Sequence, residues 1–332
     1  MASIYDSAVI RQGLCGFLLA RCEQATPQEE QPHWKLYHVT IAVVGLLHRL
    51  QVALVAAAIV SVTVSSTSAQ HVDEATPSTD PASIVIRVLK SKGAAIDEVD
   101  SYGAHGYRVS IDCAGWGERR SGWTGDEVDL QLVSVIPQVV ELSLACPVRF
   151  VQHLRFLETM QSLRVLELAH PSLLDETSVS FLPKSDALCE LCICVHLPPN
   201  AREYLAGLKG LRVLRLLGTG IDDRLLEEIV VLSELHEFIT YGSDITDRGL
   251  DYCGKWQKVE TLILRRARVG DSSVAVLSKL SNLRYLDIQG TAFTRQGVDT
   301  IRRSLPACVV SWDEEPIDRE SLEPPVPPHL RF

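Results

Sequence analysis

The stretch CELCICVH at 189–196 gathers three thiols and an imidazole within eight residues. These are the side chains that hold soft metal ions. If Leu191 and Ile193 turn inward along a strand, Cys192, Cys194 and His196 share the opposite face, about 6.6 Å apart per step. A zinc site ordinarily wants a second pair of ligands. The nearby candidates, His170 and His236, belong to adjoining segments at unmatched heights. Ordinary thiols on a strand face are therefore the expectation, the spacing predicts no pairing between them, and neither a metal nor a cofactor is assigned.

The chain has no other signature of catalysis. It has no GxSxG, no GxxxxGK[ST], no HExxH and no GxGxxG following a strand. His236-Glu237 opens a metalloprotease-like pattern, but Thr240 stands where the second histidine belongs. Acids outnumber bases by 42 to 32 among the 332 residues. A surface for phosphate backbones needs a basic stripe, and that balance argues against nucleic acid as a partner. A non-catalytic chain is expected.

The cysteine stretch belongs to a larger pattern. Apolar-rich segments begin at Val139, Leu163, Leu188, Leu211, Leu235, Val259 and Leu283, at spacings of 24, 25, 23, 24, 24 and 24 residues. A fixed period of this size marks units that cannot bury their apolar faces alone and must stack. Within a unit, Leu214 and Leu216 are spaced as in a strand. Ile221, Leu225, Leu226, Ile229 and Leu232 follow at the spacing of a helix with one buried stripe. Asp175, Asp223, Asp247 and Asp271 recur just before the helical stripe, the place of a helix cap. Cys253 falls on a core position, where a free thiol acts as a small apolar group.

The units LRVLRLLGTGIDD at 211–223 and LRYLDIQGTAFTR at 283–295, with ITDRGL at 245–250, resemble the leucine-rich repeat family in its 24-residue bacterial form. The resemblance covers about residues 139–312. It implies an α/β leucine-rich repeat solenoid, a right-handed βα superhelix with a parallel sheet on the concave face and helices on the convex face. It also implies a general binding role without naming a partner. In the turns, Thr219, Ser243 and Thr291 stand where the family often has Asn, and their hydroxyls are expected to bond neighbouring turns. Two units depart from the pattern. Residues 139–162 lack the Gly-Thr turn, and Pro198-Pro199-Asn200 replaces a helix entry.

Upstream, residues 81–138 read as an N-terminal cap and a first irregular repeat. Residues 81–89 form a helix behind Asp80, followed by strands at Ala95-Ile96 and 107–112 around a turn-rich 102–106, and by a helix over 125–136. An irregular Gly/Trp-rich insertion at 114–123 separates the last two. The last strand lies at 305–312, and the tail 313–332 is expected to be disordered. Residues 1–38 have uncertain status, 39–69 read as a signal peptide or transmembrane anchor, and 70–80 as a linker. The apolar run 41–64 is long enough to span a bilayer, though His48, Arg49 and Gln51 interrupt it. Alternatively, Arg49, the run 52–64 and Thr67-Ser-Ala69 compose a signal with its cleavage site. Either way the chain is expected in the cell envelope or secreted.

With the strand phase fixed, the outward positions of the N-terminal units are acidic and small: Glu141, Ser143, Glu167, Ala169 and Glu190. Those of the C-terminal units are Val213, Arg215, Leu217, Ile239, Tyr241, Ile263, Arg265 and Tyr285, with Glu237 and Asp287 alongside. An apolar patch carrying Tyr and Arg has the composition of a protein-binding hot spot, and a protein partner is expected there. Two other readings stand beside this one. One is a metal-binding or enzymatic role for the Cys192/Cys194/His196 face. The other is a ubiquitin-ligase substrate adaptor, since similar repeats follow F-box segments, although residues 1–80 contain no helical F-box.

Overall fold

The computed structural model describes residues 80–112, 122–146 and 151–313. The chain divides into two compact units, 1–54 and 55–332, and every described residue belongs to the second. The segments 1–38 and 41–64, most of the 114–123 insertion and the tail from 314 lie outside the described residues. Among the described residues, no helix is long and apolar enough to cross a membrane.

The strands of the described residues form one sheet in chain order. β1 (Ala95–Ser101) pairs antiparallel with β2 (Ala104–Asp112). From β2 onward every pairing is parallel, through β3 (Val139–Ala145), β4 (Val165–Leu168), β5 (Glu190–Ile193), β6 (Val213–Leu216), β7 (Glu237–Tyr241), β8 (Thr261–Arg265), β9 (Tyr285–Asp287) and β10 (Val309–Ser311). Each unit supplies one strand and returns through a helix or turn. This is the leucine-rich repeat solenoid that the resemblance implies. Alternation along each strand divides the side chains. Leu214, Leu216, Phe238, Leu262 and Leu264 enter the core between sheet and helices, where Trp256 packs on Phe238 at 5.2 Å between ring centroids. Cys253 is fully buried in the same core.

The helical side contains α1 (Pro81–Ser91), α2 (Glu127–Gln131), α3 (Ala201–Gly207), α4 (Asp223–Ile229), α5 (Asp247–Cys253), α6 (Val274–Leu277) and α7 (Arg295–Ser304). Asp80 caps α1 by accepting from Ser83 N at 3.1 Å. Asp175 accepts from the N–H groups of Thr177 and Ser178 at 2.8 and 2.7 Å, at the entry of a 3-10 turn where a helix is expected. The other three aspartates do something else. Asp222 and Thr246 cap α4 and α5, which frees Asp223 and Asp247, the residues that follow them, to reach the next unit, and Asp271 follows Gly270, which makes no side-chain cap. Asp223 accepts from Thr246 N at 2.7 Å and Thr246 Oγ1 at 2.6 Å. Asp271 holds Thr294 in the same way, at 2.9 and 2.6 Å. Asp247 accepts from Gly270 N at 2.8 Å and from the Ser273 hydroxyl. They tie the units that begin at Leu211, Leu235 and Val259 to the helix entry of the next.

Two glycines of the repeat follow from this close stacking. A Cβ on Gly249 would lie 2.3 Å from Asp223 Oδ1, and one on Gly218 would lie 1.8 Å from the Val195 carbonyl. Of the turn hydroxyls, Thr219 bonds the neighbouring turn through His196 at 2.7 Å. Thr291 instead donates within its own turn, to Ile288 O.

The irregular units differ from expectation in part. Residues 139–162 return through a 3-10 helix, Val151–Thr159, and the unit from Leu163 has only the 3-10 turns Pro171–Leu173 and Ser178–Phe181. The Pro-Pro-Asn entry nevertheless leads into α3, and the Asn200 side-chain amide donates to Glu176 O at 2.7 Å, which anchors the entry to the preceding unit. The helix expected over 125–136 is α only in α2, then 3-10 over Leu132–Val135.

Candidate functional site

On the sheet face turned away from the helices, the concave face of this architecture, the register lines outward side chains into rows. One row runs Ser110, Ser143, Glu167, Cys192, Arg215, Ile239, Ile263 and Asp287. Its first part holds the thiol cluster. Leu191 and Ile193 point into the core as expected, and Cys192 lies on the outward face with its Sγ 3.6 Å from Cys194 Sγ. The third member of the group is Glu167, one strand away, and these ligand atoms all lie within 4.8 Å of one another.

His196 does not join them. β5 ends at Ile193, so the alternation that would carry residue 196 onto the face stops, and the imidazole bonds Thr219. His170 and His236 are likewise occupied, with Ser172 at 2.9 Å and Glu234 O at 2.7 Å. The Glu167–Cys192 adjacency was visible in the 25-residue step between their units, but only pairing turns that spacing into contact.

Electrostatics set the state of the cluster. Burial pushes the Glu167 carboxyl up, opposed by the hydrogen bond from Ser143 at 2.8 Å and by the Arg215 guanidinium. The hydrogen bond with Cys194 and burial together raise the Cys192 thiol well above the ordinary range. The described cysteines 146, 189, 192, 194, 253 and 308 are free thiols.

The second part of the face is apolar. Ile239 and Ile263 are direct neighbours across β7 and β8 and form a cluster separate from the main core, with Leu217, Tyr241 and Tyr285 packed on it. The two isoleucines are only 1% and 4% exposed. They are the floor of the strip, and the partly exposed Leu217, Tyr241 and Tyr285 are its surface. Arg215 and Arg265 edge the strip with their charges engaged. Arg215 pairs with Glu237 at 2.7 Å and Glu190 at 3.2 Å, and Arg265 with Asp287 at 2.7 Å. The Arg265 guanidinium also lies 5.9 Å from the Tyr241 ring centroid. Val213 stands half-buried in the row of Glu190 and Glu237. Burial pushes the Tyr241 hydroxyl up to about 12, and that hydroxyl oxygen is buried without a hydrogen-bond partner.

One contact on this face had no signal in the sequence. Tyr102, in the β1–β2 turn with φ of 49°, donates its hydroxyl to Glu190 on β5. Arg212 lies over its ring at 5.9 Å. With Arg108 bonded to Glu141, the acids of the N-terminal half are engaged within the protein.

No family model matches the sequence, and no curated protein matches it. Solved structures resemble parts of it. An internalin (inlF) of Listeria monocytogenes is 18% identical over 55% of this chain and 49% of its own, with a TM-score of 0.42. Internalin C2 of the same organism is 17% identical over 62% of this chain and 80% of its own, with a TM-score of 0.43. The leucine-rich repeat ectodomain of the receptor kinase SOBIR1 from Arabidopsis thaliana is 10% identical over 71% and 93%, with a TM-score of 0.21. The chain thus spans about half the length of the first of these. Likeness at this level assigns it neither partner nor activity.

Proposed function

We infer that this chain is a non-catalytic protein-interaction module that takes a protein partner on the sheet face turned away from its helices. The observation that carries this is the strip of Leu217, Tyr241 and Tyr285 over Ile239 and Ile263, an apolar cluster outside the main core. Aromatic side chains held on a rigid floor lose little freedom when a partner covers them, which is why Tyr and Arg concentrate at binding hot spots.

The chain is read as exported or membrane-tethered, on the strength of the apolar run 41–64 and the Thr67-Ser-Ala69 site. Residues 1–69 contain as many bases as acids, so the mature part keeps the whole net charge of −10. That charge favours a partner with a basic surface.

The test is site-specific photo-crosslinking of the full chain in its native cell. A photoreactive amino acid replaces Tyr241 or Tyr285, and in a control it replaces Glu228, exposed on α4. Crosslinked protein adducts are expected at 241 and 285 and not at 228. Equal yields on the two faces, or adducts only at 228, would refute the assignment. N-terminal sequencing of the same bait reads whether the chain begins near residue 70.

A further inference from the structure

The cluster of Glu167, Cys192 and Cys194 has a geometry of its own. Sulfurs bound at about 2.3 Å to one tetrahedral zinc stand about 3.8 Å apart, and the two thiols here are 3.6 Å apart. A carboxylate oxygen of Glu167 lies within 4.8 Å of both, where it supplies a third corner. A disulfide fits less well. Cys192 lies in β5 and Cys194 one residue past its end, and strand geometry puts Cα atoms two residues apart at about 6.6 Å, at the long end of what a bridge spans. The strand is also held in register by β4 and β6, which resists the bend that closing the bridge needs.

The surroundings suit a divalent ion with soft character. Two thiolates and one carboxylate carry three negative charges, of which a dication offsets two, and the cation nearest in the row is Arg215, opposite Cys192 across β5 and β6 and shared with Glu190 and Glu237. Ser143 donates to Glu167 at 2.8 Å and so fixes the carboxylate, the kind of support that orients metal ligands. Thiolates select zinc over magnesium or calcium.

We propose that Cys192, Cys194 and Glu167 form a zinc-binding site on the open sheet face, with solvent as the fourth ligand. Each thiol gives up its proton to solvent as it coordinates, and no oxidant or reductant is involved.

The test titrates the full chain, reduced and stripped of metal, with Co(II), followed by Zn(II) in competition. One equivalent of Co(II) is expected to bind with a sulfur-to-cobalt charge-transfer band and the strong d–d absorption of a tetrahedral site, both removed by zinc. Cys192→Ser and Cys194→Ser are each expected to weaken binding by at least about 10- to 100-fold and to diminish the charge-transfer band. Glu167→Gln is expected to weaken binding with the band retained, and His196→Ala to leave both unchanged. Circular dichroism checks the fold of each variant. Should a serine variant fail to fold, protection of Cys192 and Cys194 from alkylation by added zinc, read by peptide mapping of the wild type, carries the test. Absence of stoichiometric binding, a Cys192–Cys194 disulfide in the protein as isolated, or unchanged affinity and band in the folded serine variants would overturn the proposal.

Discussion

Gly249 lacks a side chain because Asp223 needs the space. In an ordinary helix, Gly→Ala stabilises by up to about 1 kcal/mol, and Gly207 at the end of α3, with nothing within 4 Å of an added Cβ, is expected to follow that rule. Gly249→Ala should have the opposite sign. Its methyl would meet an Asp223 carboxylate pinned by two hydrogen bonds and an Asp223 Cα at 3.1 Å, at an overpacking cost of about 1–3 kcal/mol. Urea midpoints of the two variants read the difference directly. Asp223→Ala tests the other side of the joint. It strands the Thr246 N–H and should cost about 1–3 kcal/mol, whereas Asp223→Asn, which keeps one acceptor, should cost less. These joints were only half legible in the sequence. The recurrence of the aspartates was plain, but bonding partners 23 residues apart emerge only once stacked units bring them together. At the thiol cluster the strand ends at Ile193, three residues before His196, so alternation does not carry that imidazole onto the face, and Glu167, one unit back in the same row, lies beside the thiols instead.

At the scale of elements, strands were the most legible because each has a core face and an outward face set by period two. The helical returns were less so. A 3-10 turn and a short α-helix bury the same few apolar residues, and the stretch from Leu163 to Leu188 shows no sequence mark that separates them. α2 has a more definite entry. Asp126 accepts from the N–H groups of Val128 and Asp129 at 2.9 and 3.0 Å, while Asp129 reaches back to Asp126 N at 2.8 Å. These bonds, that from Asp129 N foremost, hold the Asp126 carboxyl below its ordinary 3.8. A depressed carboxylate contributes stability that is present above 3.8 and lost as the pH falls through the lower folded-state value. Asp126→Asn should therefore show a shallower loss of stability than the wild type between about pH 5 and pH 2, measured by urea unfolding.

For the molecule as a whole, units that pack on their neighbours, with the Tyr102 contacts to Glu190 and Arg212 as the longer reach, make stability local. Trp256, fully buried against Phe238, provides the measure. Trp256→Ala should cost about 3–5 kcal/mol. In native-state hydrogen exchange, the lost protection is expected to centre on β7 and β8 and to leave the β1–β2 hairpin least affected. Uniform loss from end to end would show a single cooperative block instead. The joints between units have a further consequence. Each has two unlike halves, a carboxylate on one unit and an N–H with a hydroxyl on the next, and the stretch from Asp223 to Thr246 begins with one half and ends with the other. A tandem gene duplication of those 24 codons would bring both halves with it. The first copy of Asp223 would meet the first copy of Thr246, the second would meet the second, and Asp247 would still find Gly270. The protein can therefore grow by copying whole repeats without leaving a joint open.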